Sequence, residues 1–382
     1  MAVAPGRTPA AKITLEVDAS LASQARATLA ALGVAQAQAH TRRVAVLRET
    51  RLLPFLPPTT RLDEDPAEVF EVWLPRAQAP AALLACVRAL DLITPGRGAA
   101  YAEEVQLLQP LGMALHNPLL SVNTPPAGRG EVLSPRVLMN CVVQRGRGSQ
   151  LARSAIAMGT CVPSINFGDG RGVRDRLGLL RIAIPAEKEI VSVLVEPQDR
   201  DLTFEALINA GRLRQPGRGF IAAYPLLLGI GNPRSVRGQG RHGASMDQVI
   251  AAIDALRAGT DWRRRTGVTG VTGGPAPATP AVLADLVNVA LSCNEGSADA
   301  VLATALAAGA EGATISRVRQ FSPTGQALPC LPGREVVDLS LPEGRLDRLL
   351  QALAGSSAFD VGAACVIETK ALAAACTYIA PG

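Results

Sequence analysis

Two glycine–arginine segments hold the residues of this sequence best suited to chemistry: Gly168-Asp169-Gly170-Arg171 and Gly217-Arg218-Gly219. Glycines allow close backbone approach and positive φ, so successive N–H groups can point into one concavity. An arginine held among them offers a planar fork of donors that matches phosphate oxygens. Two such segments at the ends of neighbouring strands would cradle the phosphates of a nucleotide. A single Gly-Arg-Gly tripeptide is better explained as a tight turn with a solvated arginine; the two segments together favour the phosphate reading. Gly96-Arg97-Gly98 repeats the second segment, and Arg234 and Arg237 follow Gly229-Ile230-Gly231-Asn232 as further phosphate candidates or as a solvated basic loop.

Catalysis needs nucleophiles, bases or metal ligands that converge. The three histidines, His40, His116 and His242, lack partners at metal-ligand spacing. No G-x-S-x-G, Walker A or H-E-x-x-H pattern occurs, and Gly229-Ile230-Gly231 is not followed by the helix and third glycine of a dinucleotide fingerprint. The seven cysteines are scattered, odd in number and free of any C-x-x-C pair. That argues against a disulfide framework and a zinc site and fits a reducing compartment. The expectation is a non-enzymatic protein without a metal. A hydrolase would need a carboxylate near the phosphate segments, and Asp169 is the candidate.

The chain has 382 residues, enough for several domains, and is 48% hydrophobic but only 3% aromatic, so Ala, Val, Leu and Ile must fill its cores. Its net charge of +5 lies in short arginine clusters. These suit small anions; a nucleic-acid surface needs a longer basic stripe with interleaved aromatics, and no nucleic-acid partner is expected. No run reaches the ~18 apolar residues of a membrane span. Residues 1–11 carry no apolar signal-peptide core, so the cytoplasm is the expected location.

The elements that must position these segments repeat. An alternating apolar run, a turn and a helical pattern precede each Gly-Arg-Gly landmark. In the first copy the run is Val69-Phe70-Glu71-Val72-Trp73-Leu74, and in the second Ile190-Val191-Ser192-Val193-Leu194-Val195. A third copy, Val336-Val337-Asp338-Leu339-Ser340-Leu341, ends on a decayed landmark that keeps Gly362 and loses the arginine. Upstream of each lies another strand–helix–strand pattern. Each copy therefore reads β-α-β, a long loop, then β-α-β, the order of a ferredoxin-like sandwich with both helices on one face. The expected fold is α+β, three tandem ferredoxin-like domains at residues 12–108, 136–244 and 281–382. A linker helix and a flexible segment occupy residues 245–280. Three such sheets meeting at their open faces would cover one another; the alternative is three domains on a string.

The second copy resembles the nitrogen-regulatory PII signalling family. Phe167-Gly168-Asp169-Gly170-Arg171-Gly172 is similar to the base of the long T-loop of PII proteins, and Gln215-Pro216-Gly217-Arg218-Gly219-Phe220-Ile221 to their B-loop. The first copy shares the topology and Gly96-Arg97-Gly98; the third shares the topology alone. The resemblance implies a covalent, monomeric pseudo-trimer that binds an adenine nucleotide, ATP or ADP, in a cleft between copies. It implies one competent site on the second copy, at most a partial one at Gly96-Arg97-Gly98 on the first and a silent third, with Arg234 and Arg237 in the place of the family's C-terminal loop. It also implies T-loop-like segments, residues 48–66, 172–185 and 321–332, that dock on a partner such as a membrane transporter or metabolic enzyme in nitrogen or carbon regulation. A PII-shaped interaction scaffold without a ligand is the alternative.

Overall fold

Strand residues in this chain alternate in chemistry, and on many strands both kinds of side chain are buried. In β1 (Arg7–Asp18), Ala11, Ile13, Leu15 and Val17 alternate with Lys12, Thr14 and Glu16, and every one of these is at most 7% exposed. A strand presents successive side chains to opposite faces. Each face of such a strand must therefore be covered, one by apolar groups and one by polar groups.

A computed structural model shows how. It describes residues 7–50, 59–108, 133–172, 186–232, 283–328, 330–356 and 366–378, with Ile253 and Leu256. The first stretch of chain contains β1, α1 (Ala22–Ala31), β2 (Ala37–Thr50), β3 (Thr59–Leu74), α2 (Ala79–Ala89) and β4 (Gly98–Leu108). The second contains β5 (Ser134–Gln144), α3 (Gly148–Ala157), β6 (Ser164–Gly172), β7 (Glu187–Val195), α4 (Arg200–Gly211) and β8 (Gly219–Ile230). The third contains β9 (Leu286–Asn294), α5 (Ala298–Ala307), β10 (Gly312–Phe321), β11 (Gly333–Pro342), α6 (Leu346–Ala354), β12 (Val366–Ala371) and β13 (Ala374–Thr377).

All thirteen described strands belong to one antiparallel sheet. Ten close a ring in the order β2, β10, β11, β9, β12, β4, β8, β5, β7, β6 and back to β2. β1 and β3 lie between β4 and β2, and β13 flanks β8. This closed barrel, with six short helices among the described residues, overturns the expected α+β arrangement of three tandem ferredoxin-like domains packed as a PII-like pseudo-trimer. Separate four-stranded sheets would each leave two edges of unpaired N–H and C=O groups, and such edges seek partners. Here ladders across the copies satisfy them: Ala100 pairs Ile230, Ile367 pairs Leu108, and Gly312 pairs Gly172.

Apolar faces of the strands look outward onto the helices. Ile13, Leu15, Phe70 and Val72 pack with Leu29 of α1 and Leu83 and Val87 of α2. Met139, Cys141, Val191 and Val193 pack with α3 and α4, and Val289, Leu291, Val337 and Leu339 with α5 and α6. In α6, Leu346, Leu349, Leu350 and Leu353 recur at helical spacing and are all buried, so one stripe meets the sheet. Carboxylates finish two helix starts: Glu189 accepts from Gly148 N at 2.6 Å, and Glu335 accepts from Gly296 N and Ala298 N at 2.9 and 3.0 Å.

The segment read as a long loop at residues 48–66 is partly strand, since β2 and β3 run on as a two-stranded ribbon to the pair Thr50 and Thr59. Its acidic residues are engaged within the ribbon: Arg48 pairs with Asp65 at 2.6 Å, and Arg43 bonds Glu64. The loop read at 172–185, beyond Gly172 itself, most of the linker at 245–280, and the decayed landmark at Gly362 fall outside the described residues. No helix among the described residues is long and apolar enough to cross a membrane.

Candidate functional site

The polar strand faces look inward onto a cavity of about 800 Å³. Its walls carry polar, charged or amphipathic side chains on several strands: Lys12 on β1, Glu71 and Trp73 on β3, Tyr101 and Glu103 on β4, Glu368 and Lys370 on β12. Lys12 is the hub. Its Nζ lies 2.8 Å from Glu368, 3.3 Å from Glu103 and 3.8 Å from Glu71. Lys370 donates to Glu103 at 2.7 Å and stands 4.3 Å over the Tyr224 ring, and Trp73 Nε1 donates to Glu368 at 2.8 Å.

Burial opposes the Lys12 charge, but Glu103, Glu368 and Glu71 outweigh it and hold its pKa well above the ordinary lysine value. Burial likewise opposes the charge of Glu103, yet Lys12 and Lys370 hold its pKa below the usual carboxylate range. Beside this cluster, Arg42 on β2 lies 3.3 Å from Glu16 and donates from Nε to His40 Nε2 at 3.1 Å. Burial, then Arg42 and Lys12, depress the His40 pKa well below its ordinary value, so the ring is neutral. With Nε2 accepting, its proton sits on Nδ1, a buried donor without a hydrogen-bond partner. Burial also pushes the Tyr101 phenol up to about 12.

Gly170, Arg171, Gly217 and Gly219 all line this cavity, at one end of the second copy's strands. The register explains their meeting: Gly168 pairs Lys188, Gln144 pairs Lys188, and Val143 pairs Gly219. Residues 168–171 are strand, however, laddered to β10 through Gly170–Thr314 and Asp169–Ile315. A Cβ on Gly168 would stand 2.7 Å from Thr314 Cγ2, and one on Gly170 2.5 Å from Lys188 Cε, so these glycines permit close strand packing. Asp169 and Arg171 are exposed, and Arg218 is half-buried.

Gly96-Arg97-Gly98 forms the same turn elsewhere, off the cavity wall. There Arg97 is occupied, donating to Leu90 O at 2.9 Å and lying 3.8 Å from Asp91. Gly96 N donates to Asn232 Oδ1 at 3.0 Å, so the end of β8 lies beside the first copy's turn and away from Gly217. Arg234 and Arg237 are outside the described residues.

The charged inner wall was not among the sequence candidates, because the glycine–arginine segments drew the search for a site and the open sheet faces were expected only to cover one another. The available signal was aromatic: Trp73 and Tyr101 occupy the polar positions of their strands, where solvent would disfavour them. Among the described residues no group of three His, Cys, Asp or Glu side chains is placed to hold a metal. The chain matches no protein-family model, and no curated protein matches it.

Proposed function

We propose that this protein is a non-catalytic, ligand-sensing regulator with a role similar to that of the PII signalling proteins, acting in the cytoplasm. Its effector is an adenine nucleotide such as ATP or ADP, held with its phosphates against Arg171 and the Gly217–Gly219 turn. The regulated partner is a membrane transporter or a metabolic enzyme, contacted through the segments around residues 48–66, 172–185 and 321–332. The observation that carries this proposal is the convergence of Gly170, Arg171, Gly217 and Gly219 on one cavity of about 800 Å³, a size suited to a small-molecule ligand.

Calorimetric titration with ATP, ADP, AMP and cyclic AMP, with and without magnesium, tests it. The expected result is saturable binding of one nucleotide near one equivalent, weakened at least about tenfold, or ~1.4 kcal/mol, in Arg171→Ala and Arg218→Ala. Absence of heat with every nucleotide would remove the nucleotide and leave the second reading, a scaffold without a ligand. That reading is favoured by the Gly98 and Gly219 backbone, since each glycine is required by a close strand approach whether or not a phosphate ever binds.

A further inference from the structure

The glycine–arginine end of the cavity continues inward as a wall whose residues the strand register sets in rows. Gln144, Lys188 and Gly168 are paired side by side at the rim. Two residues deeper, about 7 Å along the strands, Phe220 pairs Val142, Val142 pairs Ile190, and Ile190 pairs Asn166. Directly paired residues project to the same face of a sheet, and all four line the cavity. All four are half-buried, so three apolar side chains keep surface open toward the lumen.

The fold itself does not require this opening, as the first copy shows. Val17 pairs Gly98 as Val143 pairs Gly219, so Glu16, Val69 and Ala99 occupy the corresponding row. Those three are at most 5% exposed, and Glu16 is taken by Arg42. The row is thus covered by protein in the first copy and open in the copy that carries both glycine–arginine segments. Two amides border the open row. Asn166 Oδ1 accepts from Phe167 N at 2.8 Å, and Asn140 Oδ1, one row deeper, accepts from Ser192 Oγ at 2.9 Å. Protein engages both oxygens, which leaves the Nδ2 donors of two half-buried, cavity-lining residues for a ligand.

We infer that this row is a base subsite: a purine ring lies against Phe220, Val142 and Ile190, and its ring nitrogens accept from Asn166 and Asn140. An apolar face covers the open side chains, ring acceptors meet the amide donors, and an anionic tail reaches the basic rim. The inference rests on the nucleotide reading for the phosphate end, at Arg171 and the Gly217–Gly219 turn. It adds the part of the wall that distinguishes a nucleotide from other phosphate compounds.

Calorimetric titration of the full chain with ATP, adenosine and tripolyphosphate separates the two ends. Phe220→Ala removes the ring, and Ile190→Thr keeps a branched strand side chain while placing a hydroxyl on the row. Circular dichroism establishes that each is folded, and Ile190→Thr decides the matter if Phe220→Ala is not. ATP and adenosine are expected to bind at least about tenfold more weakly to Phe220→Ala. Both should bind measurably more weakly to Ile190→Thr, with tripolyphosphate binding unchanged in either variant. ATP bound equally well by both variants, or ATP and tripolyphosphate weakened in parallel, overturns the base subsite and leaves the nucleotide reading standing. Adenosine binding that depends on Phe220, without any response to tripolyphosphate, removes the phosphate end and supports the subsite. Absence of binding by ATP and adenosine alike overturns both.

Discussion

At the scale of single residues, Lys12 is where this fold commits most electrostatic energy. The side chain is buried, and three carboxylates converge on its Nζ within 3.8 Å. A buried charge cluster adds little net stability when intact, but losing one partner strands the others away from water, at a cost of about 3–5 kcal/mol. Lys12→Met is expected to lose stability in that range by urea unfolding. Lys12→Met combined with Glu368→Gln is expected to recover part of the loss, because one stranded anion is gone. Stability of the unmodified protein carries the same signature in pH. The folded pKa of Lys12 is raised, so its contribution is complete below the unfolded value of about 10.4 and fades as pH climbs through the folded one. The folded pKa of Glu103 is depressed, so its contribution is complete above about 4.3 and fades as pH falls through its folded value. Stability measured from pH 7 to pH 8, above the range in which neutral His40 loses stability on acidification, should be flat with respect to this pair; a steep slope there would contradict the assignment.

At the scale of elements, the Gly-Arg-Gly turns show how far residue type reaches and where it stops. The turn itself is legible: Gly96 and Gly217 have φ of +85° and +69°, in the left-handed region that glycine enters without strain. The second glycine has a different reason, which no local pattern reveals. At Gly98 and Gly219 φ is +145° and +134°, and a Cβ would collide with the carbonyl oxygens of Glu16 and Val142 on the neighbouring strands. Gly219→Ala should therefore cost about 3 kcal/mol, combining backbone strain with overpacking. Gly217→Ala should cost about 1 kcal/mol from its left-handed φ. Urea midpoints of the two variants decide the order, and equal losses would mean that the second glycine serves the turn alone. The same limit explains why the charged inner wall went unread. Alternation in the segment around Ile13 correctly marks a strand and its apolar face, but it cannot distinguish a polar face turned to solvent from one turned to a lumen.

At the scale of the whole molecule, the decisive contacts are ladders between residues far apart in sequence. Tyr101 pairs Gly229, Arg319 pairs Ala39, and Ala375 pairs Ala222. The strand and helix order could be read three times along the chain, because each element announces itself within a dozen residues. Closure could not, because edge pairing depends on backbone groups that every residue carries alike. Nothing in the side chains of Gly172 or Gly312 names the other as its partner. Closure in turn makes unfolding cooperative. Independent domains would melt in steps, each with its own midpoint, whereas a ring shares its hydrogen bonds across every junction and loses them together. Trp73 offers a probe of this, since its indole on β3 bonds Glu368 on β12, joining the first and third stretches of chain. Trp73 fluorescence, recorded in a Trp262→Phe background so that it alone reports, should change at the same urea concentration as far-UV circular dichroism. A fluorescence midpoint well below the dichroism midpoint would mean that the third stretch detaches first, and that the ring holds as a chain of separable parts.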